Sequence, residues 1–226
     1  MQRITPCLFV ALAASAQAAN TVTFDGVSLE GLTTLTDTTA FNTFSPSVKS
    51  GAIASLTDAD WNTSGVDSMQ GGVLVGEFGQ TFTSAGNYLY IISPGIITNT
   101  GHSTHIGSFE VSLLLSNDQL VSAGTYNDLS YTVTAYSVNG TYYGMGGAQS
   151  YTGIVAQYVR IDLGQFDTQA VGVKGVKLAN FTNPNLDLNY IGITGAGTAV
   201  PEASTYGLAI GALALIGAVT RRRRSK

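Results

Sequence analysis

From residue 73 onward, apolar and polar side chains alternate with a period of two, and Gly, Asn, Asp, Ser and Pro interrupt the pattern at short intervals. That period belongs to strands with one buried face. Residues 73–78 lead into 80–83, and Ser84-Ala85-Gly86-Asn87 reads as a turn. A strand over 88–92 ends at Pro94-Gly95, and one over 109–115 closes on Ser116-Asn117-Asp118. In 130–138, Tyr131, Val133 and Ala135 share one face while Thr132 and Thr134 share the other. Asn139-Gly140 is a tight-turn signal, with 141–143 as the returning strand. In 154–163, Val155, Val159, Ile161 and Leu163 line one face, and Tyr158, Arg160 and Asp162 point away. Segments 171–178 and 186–194 complete the set. No stretch between residues 20 and 195 shows a capped 3.6-residue apolar period.

Eight or more short strands in one chain of this size predict an all-β domain, a β-sandwich of jelly-roll type. One core is expected, lined by Leu113, Leu115, Val155, Val159, Ile161 and Ile191. Segments 50–72, 93–108 and 140–153 read as long surface loops, where binding usually resides. Glycine, at 27 of 226 residues, fits many turns.

The two ends carry a different pattern. Arg3 is the only charge among the first 24 residues, residues 7–14 are apolar, and Ala16-Gln17-Ala18-Ala19 supplies small residues at the −3 and −1 positions of a cut after Ala18 or Ala19. This order is that of a secretory signal peptide over 1–19, removed by signal peptidase. The single cysteine, Cys7, leaves with it, so the mature chain is expected to fold without disulfides. At the other end, a Gly-containing linker at 195–199 precedes Val200-Pro201-Glu202. Then come 18 uncharged residues over 203–220 and the basic cluster Arg221, Arg222, Arg223, Arg224. As a helix, 203–220 measures about 27 Å, just enough for a single transmembrane crossing of a core of about 30 Å. Gly207 and Gly211 have a small-xxx-small spacing. Arginines hold such an end in the cytoplasm while the signal peptide sends the domain outside, so the two topology signals agree. The division is therefore signal peptide 1–19, β-domain 20–195, and linker plus tail 196–226, with its basic end at 221–226.

Val200, Pro201 and Glu202, followed by an apolar helix and a basic terminus, resemble the PEP-CTERM sorting signal. Ala203 departs from the family pattern, where proline is more usual. The resemblance implies a Gram-negative-type envelope and processing by exosortase, a membrane-embedded cysteine transpeptidase-like enzyme. It also implies association with the cell surface or with exopolysaccharide. Upstream domains in such proteins are diverse, so the tail gives an address and little chemistry.

Charge narrows the partners. Residues 20–200 hold 4 basic against 13 acidic side chains, a net of −9, which disfavours nucleic acid. The whole-chain value of −4 conceals this, because five positive charges lie in the last six residues.

Few residues announce chemistry. Asp58, Asp60, Asn62 and Asp67 place oxygens at close intervals in one loop, a candidate structural calcium site. Thr63 stands where an EF-hand needs glycine, and no glutamate closes the loop. The loop faintly resembles the Asp-rich loop of galactose-binding-like jelly rolls; the alternative is a run of solvated Asx turns. His102 and His105 share a polar loop as a weaker metal candidate that lacks a third ligand. No Gly-x-Ser-x-Gly elbow, phosphate loop or distinctive carboxylate pair occurs, so an enzyme is not expected and no catalytic residue or other cofactor is assigned. Trp61, Tyr142 and Tyr143 are the aromatics best placed to stack on sugar rings, because their neighbours read as loops. The expectation is an exported surface or matrix protein that binds carbohydrate without catalysis. Its alternatives are a purely structural or adhesive envelope protein and, third, a secreted polysaccharide hydrolase.

Overall fold

A computed structural model describes residues 20–62, 64–66, 71–83, 86–94, 108–127, 132–134, 138–144, 146–153, 156–166, 171–182, 188–195 and 198–199. The described chain is mostly β. It opens with β1 (Thr21–Phe24) and β2 (Val27–Thr38), joined by Asp25-Gly26. Both turn residues have positive φ, 49° and 74°, so this is a two-residue turn of the kind that matches strand twist. Next come helix α1 (Pro46–Thr57), β3 (Ser64–Val66), β4 (Leu74–Phe82), β5 (Tyr88–Pro94), β6 (Phe109–Leu115) and β7 (Leu120–Tyr126). They are followed by β8 (Thr132–Thr134), β9 (Val138–Gly144), β10 (Gly147–Gly153), β11 (Ala156–Asp162), β12 (Val173–Ala179), β13 (Tyr190–Thr194) and β14 (Thr198–Ala199).

One antiparallel sheet runs β7-β6-β12-β4-β2-β13-β5-β11-β8, with β1 on β2 and β14 on β4. β2 is its hinge. Leu29–Gly31 pair with β13, whereas Leu32–Thr38 pair with β4 through two register shifts. Bulges of this kind bend a strand and raise its twist. The sheet therefore wraps: Leu113, Leu115, Val176 and Leu178 from one half share a single apolar cluster with Leu89, Ile91, Val159, Ile161, Ile191 and Ile193 from the other. Five of the six expected core residues, Leu113, Leu115, Val159, Ile161 and Ile191, are buried there. The sixth, Val155, lies outside the described residues.

The structure corrects four sequence expectations. The core is not single: Val22, Phe24, Leu29, Trp61, Tyr90, Ile92 and Tyr190 form a second cluster on the opposite face of β5 and β13. A helix exists, with Ser45 before it and Pro46 in its first turn. It buries Val48, Ala52, Ser55 and Leu56 and occupies part of the expected loop 50–72. The expected loop 140–153 is mostly a hairpin of β9 and β10, with Gly144 paired to Gly147 at its closed end. Asn139-Gly140 is therefore strand rather than turn, with Gly140 facing Tyr151. The sequence rule was overridden by pairing: β10 holds Asn139 and Gly140 in its ladder, and from Thr141 onward β9 also accepts β3 in parallel on its other side. Finally, β14 lies within the segment expected to be a linker, pairing Thr198 with Thr81 and Ala199 with Gln80.

Among the described residues no helix is long and apolar enough to cross a membrane. Residues 1–19 and 200–226, which hold the expected signal peptide and tail, lie outside them.

Candidate functional site

The second cluster forms because β5, β11 and β13 carry large residues on both faces. Along β5, Leu89 and Ile91 point to the main core, while Tyr90 and Ile92 point outward. Phe24 of β1 covers them, meeting Trp61 edge-on at 4.9 Å between ring centres and Tyr158 edge-on at 5.3 Å. Tyr90 and Tyr158, diagonal neighbours two register positions apart on adjacent strands, stack at 5.5 Å. Arg160, exposed at the margin, holds its guanidinium 4.8 Å from the centre of the Tyr88 ring. Burial pushes the Tyr90 phenol upward, and a hydrogen bond from Arg160 works against that rise.

Trp61 belongs to this packing. It is 8% exposed, and its indole N–H donates to the Thr23 carbonyl at 3.1 Å. Its own carbonyl accepts from Asn189 Nδ2 at 3.1 Å. An irregular segment here carries an anchor rather than an open platform. Trp61→Ala should therefore cost about 3–5 kcal/mol of stability, read as a fall in the urea midpoint. A variant as stable as the parent protein would show the ring to be dispensable packing. Tyr143 is half-buried against the main core, and its ring lies where a Cβ on Gly51 of α1 would stand. Tyr142 lies on β9, facing Gln149 of β10 and Gly65 of β3 in register.

The Asp58 loop follows α1. Asp58 Oδ1 accepts from the Asp60 amide at 3.2 Å, and Asp60 Oδ1 accepts from the Asn62 amide at 3.0 Å. These are two successive Asx turns. Asp67 lies outside the described residues, and among the described residues no group of three His, Cys, Asp or Glu side chains could hold a metal ion. The carboxylate oxygens act here as turn acceptors, and the Asx-turn reading predicts a thermal unfolding curve that a chelator leaves unchanged. A chelator-induced fall in Tm that Asp60→Ala abolishes would establish calcium instead. His102 and His105 lie outside the described residues.

A polar knot that sequence reasoning missed joins the start of the domain to the end of α1. Asn20, 9% exposed, is held on every side. Its carbonyl accepts from the Gly31 amide at 2.7 Å and from the Tyr190 hydroxyl at 2.5 Å. Its side-chain amide donates to the Leu32 carbonyl at 2.8 Å and also to the Thr57 carbonyl. Two carboxylates flank it. Asp58 follows Thr57, and burial pushes its pKa up to about 6. Glu30 faces Thr21 across the hairpin and accepts from Gln80 Nε2, and burial again pushes it upward. Burial pushes the Tyr190 hydroxyl upward, and the charges of Asp58 and Glu30 add to the rise. The only sequence hint was a polar Asn just after a run of small residues.

The chain's remaining signal is its terminus. The family model of the PEP-CTERM protein-sorting motif matches residues 199–224. That span contains Val200, Pro201, Glu202 and Arg221–Arg224, none of which is among the described residues. No curated protein and no solved structure matches the chain. A terminal motif of this type implies export, sorting to the cell surface and exosortase as the processing partner.

Proposed function

We propose that this protein is a cell-surface or exopolysaccharide-matrix component whose β-domain binds carbohydrate without catalysis. The sorting motif carries the address. In this reading signal peptidase removes residues 1–19 during export. Segment 203–220 then crosses the membrane until exosortase acts. The wrapped sheet, with both halves on one core, supports a β-sandwich of jelly-roll type.

The observation that favours carbohydrate is the margin of the aromatic cluster. Tyr88 and Tyr158 are partly open, and Arg160 offers guanidinium donors beside them. Sugars present C–H faces to rings and hydroxyls to donors, so such a margin suits a glycan chain. A glycan array of the mature protein tests the reading. Arrayed polysaccharide should capture it, and Arg160→Ala combined with Tyr158→Ala should abolish capture while the protein stays folded. No capture by any glycan would leave the structural or adhesive envelope role. Depolymerisation of matrix polysaccharide would instead demand the hydrolase.

A further inference from the structure

A strand at the edge of a sheet offers its outward N–H and C=O groups to any other chain, and proteins blunt such edges with brevity, bulges, charge or proline. Among the described residues, β1, β8 and β14 are two to four residues long. β7 is bulged: its pairing with β6 skips Ala123, and Gly124 has φ 113°. β3 is closed off at Val66, which exchanges two backbone hydrogen bonds of 2.8 Å with Leu188. β10 carries none of these devices. It pairs with β9 over seven successive positions without a register shift and stands at the outside of the order β10-β9-β3. Ala148, Gln149 and Ser150 on it are exposed. No charged residue and no proline lies between Asp128 and Arg160.

We propose that β10 is a self-association edge, which joins a second copy of this chain into one six-stranded sheet of order β3-β9-β10-β10-β9-β3. Charge identifies the occupant. Residues 20–200 carry a net −9, so two copies repel over most of their surface. Segment 129–159 is neutral, so copies that meet along β10 bring no like charges from these strands together. A basic partner, which the rest of the domain would attract, finds no carboxylate on this strand to pair with. The edge is also held in place beforehand. Tyr143 of β9 packs against the main core, and β3 pairs with β9 on the side away from β10. Little order is then lost when a partner strand docks.

In an antiparallel ladder alternate residues of β10 turn their backbone groups toward β9, and the residues between them turn outward, where a second copy would satisfy them. A two-fold axis makes the contact isologous and closed. Full antiparallel overlap of Gly147–Gly153 sets its midpoint, Ser150, opposite Ser150 of the second copy. Repulsion between the two acidic domains opposes this pairing and is screened beyond about 8 Å at physiological ionic strength. Dimerisation should therefore strengthen as salt is added, the reverse of a charge-paired interface. The proposal is independent of carbohydrate binding.

The test is sedimentation of the mature protein recovered from an exosortase-bearing host, over a range of protein and salt concentrations. The parent protein should dimerise with concentration. Ser150→Glu should weaken the dimer roughly tenfold or more, because it forces two carboxylates together out of water. Ser150→Lys should weaken it in the same way, and an equimolar mixture of the two variants should restore it. That rescue separates a lost interface from a damaged fold. Leu120→Glu makes the same change of charge on the β7 edge, where Leu120 is 48% exposed, and should leave the dimer as it was. Amide exchange over 147–153 should slow as protein concentration rises. A parent protein that stays monomeric up to about 1 mM overturns the proposal. So does a dimer indifferent to Ser150→Glu, one weakened equally by Leu120→Glu, or a mixture that restores nothing. Amides of β10 that slow only when polysaccharide is added would assign the edge to a glycan and overturn it as well.

Discussion

Gly175→Ala should remove about 3 kcal/mol or more of the domain's stability, a large share of the 5–15 kcal/mol typical of folded proteins. Gly175 sits in the central strand β12, between Glu77 of β4 and Leu114 of β6. A Cβ there would overlap the Gly76 carbonyl oxygen and stand 3.1 Å from the Glu77 Cα. Those are backbone atoms of a paired strand, so relief requires β4 and β12 to separate. The register shifts between Val173 and Gly175 on both sides, and the displaced Lys174 reaches Asp118 at 2.6 Å and Glu77 at 3.3 Å. The hydrogen bond to Asp118 is the main reason that the Lys174 pKa is raised. Gly146→Ala is the control: its Cβ would meet only the end of the Gln149 side chain, at 3.3 Å. The urea midpoint should fall sharply for the first variant and hardly at all for the second. Equal midpoints would mean that the sheet is loose at its centre.

How much of this was legible from the residues depended on whether each strand has one buried face. β11 alternates cleanly, with Val159 and Ile161 buried and Arg160 exposed, and its two faces are readable by eye. β2 is not. Leu29, Glu30, Gly31 and Leu32 are buried in succession, because Leu29 serves the outer cluster and Leu32 the main core as the strand changes partners. A strand buried on both faces loses its period of two. Sequence reasoning missed the first hairpin, although Asp25-Gly26 is a strong short-range turn cue, because the alternation becomes obvious only from residue 73 onward. α1 was hidden for another reason. It is rich in Ser, Ala and Gly, so its apolar stripe is thin, and docking on the core stabilises it more than its own propensity does.

The candidate site was less legible than the fold. Trp61 was singled out because its neighbours lack regular structure, yet lacking regular structure is compatible with burial. The margin at Tyr88, Tyr158 and Arg160 needs two strands distant in sequence, β5 and β11, to be brought into register, and no local motif encodes that. The knot at Asn20 joins residues up to 170 positions apart, and its one sequence hint, a polar Asn after small residues, points to none of its partners.

Changing the tail should have the largest effect on where the protein goes. In an exosortase-bearing host, Pro201→Ala with Glu202→Ala should leave an uncut form that still ends at Lys226, because the motif matched over 199–224 begins at the edge of the domain. Replacing Arg221–Arg224 with serine should act differently, by loosening retention before any cut. Each arginine costs about 3 kcal/mol to place at a membrane centre on insertion scales, so four in a row make passage of the tail prohibitive. In the proposed reading segment 203–220, about 27 Å long if helical, would only just span the hydrocarbon and would rely on that basic end to hold its depth. Without the arginines the tail should slip outward, the motif should lose its position relative to the membrane, and full-length protein should appear in the medium. The logic is that of a terminal apolar signal that is removed once read. Mass spectrometry of envelope and medium fractions distinguishes the outcomes by their carboxyl-terminal peptides. If the unaltered protein in that host also ends at Lys226, exosortase does not process it, and the tail serves only as a short membrane anchor.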